Sequence, residues 1–253
     1  MTEQQIVSLE DLLWAEDQAL ATHRLEFARE MSFADIVLRA AQDVFRQSAW
    51  QDRVQDKCVA GLVTASIRYY ASSCSTVLRG HVGESLGLMR CAVEAGAYAL
   101  KIHRKPELAV TWLSGHWKER TAKVGRDTTI VREELGAGDT YSVLSEHGIH
   151  ARAGMSGRGT EFAAAGSWRF YFGDLSTPEA RFTFFSNAVL MKDLVENRYV
   201  PAFWPTGAPE SVSTLLSAAT EDHQKLAVSR RSDMDAWQLT IDKRMREAAG
   251  DGG

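Results

Sequence analysis

Residues 82–103 read VGESLGLMRCAVEAGAYALKIH, a stretch with the composition of a buried helix. Before Leu100 only Glu84, Arg90 and Glu94 are charged. A helix that is apolar on nearly every side is covered by neighbouring helices. The stretch therefore predicts the central helix of an all-α bundle, and the charges near its middle need partners because an uncompensated buried charge costs several kcal/mol.

Helical periodicity continues on both sides of this stretch, and no strand–helix alternation appears. We therefore expect a single all-α domain over 1–253 that forms a multi-helix bundle. It comprises acidic N-terminal helices in 1–56, central helices in 57–147, a long loop at 148–177 and C-terminal helices in 178–248. The predicted helices cover about 8–28, 32–50, 54–78, 82–103, 106–117, 118–125, 128–135, 140–147, 177–198, 210–226 and 233–248.

The segment 148–177 breaks the helical pattern, because six glycines accompany the aromatic run WRFYF at 168–172. We expect a long ordered loop or a short β-hairpin here, and long loops inside compact domains are often functional. Two of these glycines flank Arg158 in ARAGMSGRG, residues 151–159, which could form a backbone nest for phosphate. A turn-rich connector is the alternative.

Composition excludes several classes of protein. The 253 residues are 45% hydrophobic and 25% charged, as in ordinary globular domains, and the net charge of −4 argues against a basic nucleic-acid tail. The N-terminus lacks the pattern of a secretory signal, and three cysteines without a CxxC pair favour a reduced, cytoplasmic chain. Arg68 and many hydroxyls within 58–78 argue against a membrane span. We predict no metal site, no cofactor and no membrane partner.

Arg90 and Glu94 are the first candidate site residues, since residues four apart share one face of a helix. Both are predicted catalytic residues, and Ser85, five residues before Arg90, is assigned to substrate binding. One interpretation is a structural ion pair that sets helix register, and the other is the floor of a polar pocket.

The segment YSVLSEHGIHAR at 141–152 holds the candidate partners of that pair. His147 and His150 are predicted catalytic residues, because histidines near a helix C-terminus can act as general acids or bases or bind an anion. Capping and loop-anchoring histidines are the structural alternative. The residues here and in the glycine-rich segment assigned to substrate binding are Tyr141, Ser145, Arg152 and Arg158.

GESLGLMRCAVEAGAYALKI, followed by KPELAVTWL and YSVLSEHGIH, resembles a group of uncharacterised bacterial all-helical proteins that is loosely HEPN-like. Several HEPN-type domains are ribonucleases or nucleotidyltransferase partners, so the resemblance implies RNA or nucleotide processing in stress or phage defence. It transfers onto Arg90, Glu94, Ser145 and His150. The HEPN nuclease signature, an arginine followed by four to six residues and then a histidine, is absent from this sequence.

Three functions are therefore expected as alternatives. The first is the HEPN-like function with RNA or a nucleotide as partner, supported by seven basic residues against two acidic ones within 101–126. The second is a metabolic enzyme or binding protein with a small-molecule ligand in a polar pocket between helices. The third is a non-catalytic scaffold that forms a homo-oligomer.

Overall fold

The computed structural model describes residues 8–141, 144, 160–163, 167–170 and 177–248, and it confirms the all-α multi-helix fold. The N-terminal and central helices are α1 (Leu9–Glu26), α2 (Ala28–Gln47), α3 (Val54–Leu78), α4 (Val82–Arg104), α5 (Leu108–Ser114), α6 (Trp117–Lys123) and α7 (Asp127–Leu135). The C-terminal helices are α8 (Thr177–Leu194), a π-helix (Val195–Tyr199), α9 (Val200–Phe203) and α10 (Glu210–Ala248). Residues 138–141 and 144 are also helical.

Local chemistry explains where several of these helices begin and end. Ser8 starts α1 with a capping box, in which its hydroxyl accepts from the Asp11 backbone N–H and the Asp11 carboxylate accepts from the Ser8 backbone N–H. The tight turn between α3 and α4 contains Gly80 at φ 89°, a conformation that glycine adopts without strain. Gly136, at φ 65°, ends α7 in the same way.

The core lies where α3 and α4 pack along each other, the most extensive helix contact in the described part of the chain. Helix α8 packs on both members of this pair and α2 packs on α3, while α10 packs on α2 and α8. Fully buried side chains such as Phe33, Tyr70, Met89 and Met191 come from different helices, so the core is shared among them. The central position predicted for α4 follows from this arrangement.

Two predicted boundaries in the C-terminal part are wrong. A single helix, α10, spans the 39 residues Glu210–Ala248, where two helices with a break near 227–232 were predicted. Helix α8 also does not stop before Pro201, because the π-helix and α9 continue it to Phe203. Proline has no backbone N–H to donate to the preceding turn, yet the helical run continues through Pro201 directly after the π-helix.

Within the predicted loop 148–177, the structure describes Thr160–Ala163 and Ser167–Phe170, which pair as two antiparallel strands, β1 and β2. Thr160 lies opposite Phe170, and Ala163 lies opposite Ser167. No helix among the described residues combines the length and the apolar composition that crossing a bilayer requires. All three cysteines are free, and Cys58 is buried.

Candidate functional site

The side chains of Arg90 and Glu94 on α4 lie next to each other at the surface of the bundle. Nη2 of Arg90 is 2.9 Å from Oε1 of Glu94, and the side chains are 19% and 20% exposed. The two residues are four positions apart on α4, so the helix itself brings their side chains together. The exposed fractions place the pair between the buried core and solvent, where a ligand can reach it.

Tyr141 joins this ion pair from a distant part of the chain. Nε and Nη2 of Arg90 donate hydrogen bonds to the Tyr141 hydroxyl at 3.0 and 2.8 Å. The hydroxyl donates its own proton to Oε1 of Glu94 at 2.5 Å. A phenol has one proton and two lone pairs, so this hydroxyl is saturated. We call Arg90, Glu94 and Tyr141 the Arg90 cluster.

A second tyrosine–carboxylate pair lies next to the Arg90 cluster. The hydroxyl of Tyr98, one turn after Glu94 on α4, donates to Oδ1 of Asp127 at the start of α7. An acidic residue in the first turn of a helix is favoured by the helix dipole. The Tyr98 ring also packs on Trp112, with ring centroids 4.2 Å apart. Sequence patterns did not single out this pair, and the only available signal was an acid at a helix start.

The electrostatics of the cluster oppose ionisation of Glu94. Burial raises the pKa of Glu94 above its usual value, and the charge of Asp127 raises it further, against hydrogen bonding from Tyr141 and the charge of Arg90. For Arg90, burial lowers the pKa, but hydrogen bonding to Tyr141 and the charge of Glu94 leave it raised overall. The guanidinium therefore stays charged, while the charge of Asp127 opposes ionisation of the neighbouring Glu94.

Helix α7 is held against α4 along its length. The charge pairs Lys101–Glu133 and Arg104–Glu134 connect the two helices. At the C-terminal end of α7, Nη2 of Arg198 donates to the Leu135 carbonyl at 2.5 Å. A cation at a helix C-terminus also complements the helix dipole. These contacts fix the position of Asp127 relative to α4.

Three of the seven basic residues of 101–126 are paired with acidic side chains by these and similar contacts. Besides the two pairs with α7, Lys123 pairs with Glu119 at 2.8 Å. The Arg120 guanidinium lies over the Trp112 ring, 5.5 Å from its centroid. A polyanion would have to displace these partners, so the clustered charge in the sequence overstates the free positive charge of this surface.

Ser85 does not belong to the Arg90 cluster. It is fully buried, and its hydroxyl accepts a hydrogen bond at 2.9 Å from Nδ2 of Asn187 on α8. The same amide also lies 3.4 Å from Oγ of Ser73. Five residues turn an α-helix by about 140° past a full turn, so Ser85 and Arg90 face different neighbours.

Of the other predicted site residues, the structure describes Tyr141 alone. Ser145, His147, His150, Arg152 and Arg158 lie outside the described residues. The catalytic assignment of the two histidines therefore stays a sequence prediction. Among the residues that are described, no group of three His, Cys, Asp or Glu side chains is arranged to hold a metal ion.

One hydrogen-bond donor group and one acceptor atom of the Arg90 cluster remain unbonded among the described residues. Within the described part of the chain, Nη1 of Arg90 and Oε2 of Glu94 make no hydrogen bond, whereas Nε, Nη2 and Oε1 are all engaged. The unbonded atoms, Nη1 and Oε2, belong to the guanidinium and the carboxylate that form the ion pair. A ligand could therefore bond to both groups without displacing Tyr141.

No family model matches the sequence, and the chain matches no curated protein and no solved structure.

Proposed function

We propose that the chain binds a small polar molecule at the Arg90 cluster. The observation that carries this proposal is the state of its ion pair: both side chains are about one-fifth exposed, and each keeps one edge free after its internal bonds among the described residues. Ligand sites combine apolar walls with a few convergent polar groups held by their neighbours. Tyr141, Tyr98 and Asp127 position those groups here.

The structure supports a small molecule better than a nucleic acid. Nucleic-acid affinity depends on unpaired lysines and arginines that replace counterions along the phosphate backbone. Lys101, Arg104 and Lys123 are instead paired with acidic side chains. The HEPN-like resemblance remains a prediction from the sequence, and the Arg90 cluster does not depend on it.

The roles within the proposed site follow from the bonding. Arg90 and Glu94 contact the ligand through their free edges, and Tyr141 is a positioning residue because its hydroxyl is already saturated. Should the site carry out chemistry, Glu94 is the group with the pKa best suited to accept a proton, because burial raises that pKa.

A thermal-shift screen against a broad panel of metabolites tests the proposal, since a ligand that binds only the folded state raises the melting temperature. The screen compares the wild-type protein with Arg90→Lys, which keeps the charge but loses the planar guanidinium. The matched control is Arg39→Lys, because Arg39 forms an exposed i,i+4 pair with Asp35 on α2.

We expect at least one compound to stabilise the wild-type protein and the Arg39→Lys control but not Arg90→Lys. A panel that stabilises none of the three proteins would contradict the proposal. Equal stabilisation of all three by every active compound would also contradict it, because binding would then lie elsewhere.

A further inference from the structure

The charges and hydrogen bonds of the Arg90 cluster restrict the class of ligand it can take, and this inference rests on the proposed function. The charged groups that act on the cluster within the described residues are Arg90, Glu94 and Asp127. With both carboxylates ionised they sum to one negative charge. Among the described residues, the cluster therefore has no surplus positive charge to offer a phosphate or a carboxylate.

A cationic ligand fits no better. An ammonium group could donate to Oε2 of Glu94, but it would then lie beside the Arg90 guanidinium, whose free Nη1 is also a donor. Two positive groups would share one carboxylate, and the Nη1 donors would be left without an acceptor. Like charges held close together in a partly buried site repel each other with little screening.

A neutral group with an acceptor and a donor side by side satisfies both free edges. The carbonyl oxygen of an amide or a lactam accepts from Nη1 of Arg90, and its N–H donates to Oε2 of Glu94. Tyr141 holds the guanidinium and the carboxylate in place, so little conformational entropy is lost on binding. We propose that the ligand presents a neutral amide-type edge, that of a carboxamide or lactam, to Arg90 and Glu94.

Four probes of similar size separate the ligand classes: benzamide, benzoate, benzylamine and N,N-dimethylbenzamide. The first carries an acceptor and a donor, the second an anion, the third a cation, and the last an acceptor without a donor. Binding is followed by ¹H–¹⁵N NMR of the full chain through the Nε–H signal of Arg90, which is assigned by its loss in Arg90→Lys. The four probes are compared on the wild-type protein, so the result does not depend on whether any variant binds a ligand.

We expect benzamide to shift the Arg90 signal with a dissociation constant about tenfold or more below those of the other three, because each of them leaves one edge of the ion pair unpaired or adds a charge. Glu94→Gln, whose amide spectrum reports whether it is folded, removes one negative charge from the cluster and should reduce that preference over benzoate. Exchange of exposed Glu84 for Gln on the same helix should leave all four affinities unchanged.

Tighter binding of benzoate or benzylamine at the Arg90 signal would overturn the amide assignment while leaving a small-molecule site in place. Absence of any shift with benzamide up to its solubility limit would also overturn it. The metabolite screen with Arg90→Lys decides the proposed function separately, because a stabilising anion or amine in that screen would support a site without supporting this ligand class.

Discussion

At the scale of single residues, Tyr141 links the structural and the functional interpretations of the charges on α4. Its hydroxyl bonds to both members of the Arg90–Glu94 pair, so the pair is oriented by a residue about 50 positions further along the chain. An ion pair that only set helix register would need no such partner. One that must present a defined edge to a ligand benefits from it, because side chains held by hydrogen bonds lose less entropy on binding.

Removal of the Tyr141 hydroxyl should destabilise the protein. In Tyr141→Phe, the Arg90 donors and the proton acceptor Oε1 of Glu94 lose a shared partner, which we expect to lower the free energy of unfolding by about 1–2 kcal/mol. Urea denaturation measures this change. The control is Tyr69→Phe, since Tyr69 is 40% exposed. Equal stabilities of the two variants would show that the hydroxyl bridge contributes nothing.

The raised pKa of Glu94 predicts a pH dependence of stability. The native state holds the Glu94 proton more tightly than the unfolded state does, so this group stabilises the fold most below its ordinary pKa of 4.5. That contribution is lost as the pH rises through the higher folded value. Relative to Glu94→Gln, the wild-type protein should therefore lose stability as the pH rises above 4.5.

Urea denaturation across that pH range gives the test of Glu94. Glu84→Gln on the same helix serves as the control, because Glu84 is exposed. A wild-type protein that gains stability over Glu94→Gln as the pH rises would reverse the predicted sign, and it would show that Arg90 outweighs burial.

At the scale of elements, the π-helix after α8 approaches α4 at Gly96. A Cβ atom on Gly96 would lie 2.8 Å from both Leu194 Cδ2 and the Tyr199 hydroxyl. Tyr199 is fully buried, and burial raises the pKa of its hydroxyl well above the ordinary value although Ser66 Oγ lowers it. The π-helix thus places the Tyr199 side chain against Gly96, where only glycine leaves enough room. π-helical turns are rare and often occur at functional sites.

Two glycine-to-alanine variants separate packing from helix propensity. Gly96→Ala should lower the free energy of unfolding by about 1–3 kcal/mol, because the added methyl group forces Leu194 and Tyr199 to move. Gly61→Ala should raise it by about 0.5–1 kcal/mol, because a Cβ atom there meets nothing within 4 Å and alanine favours the helix. Chemical denaturation of both variants provides the comparison. A neutral or stabilising Gly96→Ala would refute the close approach of α4 and the π-helix.

At the scale of the whole molecule, the distribution of charge in the fold differs from that along the sequence. The sequence concentrates basic residues in 101–126, but α7 brings Glu133 and Glu134 against Lys101 and Arg104. Paired cations release few counterions on meeting a phosphate backbone. The charge pairs of Lys101 and Arg104 thus reduce the electrostatic attraction for RNA that the sequence of 101–126 suggests.

RNA binding should accordingly be weak and only slightly dependent on salt. We expect fluorescence anisotropy with a single-stranded RNA to give a slope of log K against log salt shallower than about −1. Lys105→Gln, at an exposed position of the basic segment, should change the slope no more than Lys225→Gln on α10. A slope of about −3 or steeper that Lys105→Gln reduces would favour the nucleic-acid function instead.

Fold class and helix centrality follow from the sequence because helical periodicity is local, and because α4 has too few charged residues to face water. The same reasoning places Arg90 and Glu94 on one face, since four residues make about one turn. The continuous helix α10 was missed because polar residues near 229–233 resemble a break in the sequence, although the helix runs through them.

Contacts between distant segments were decided only by the tertiary structure. The sequence does not show that Tyr141 bridges the ion pair, that Asp127 stands beside it, or that Ser85 bonds instead to Asn187. Each depends on how whole helices dock, which is set by the summed packing of many apolar side chains and not by the spacing of any motif. The sequence thus indicates that Arg90 and Glu94 need partners, but only the tertiary structure identifies Tyr141 as the residue that supplies one.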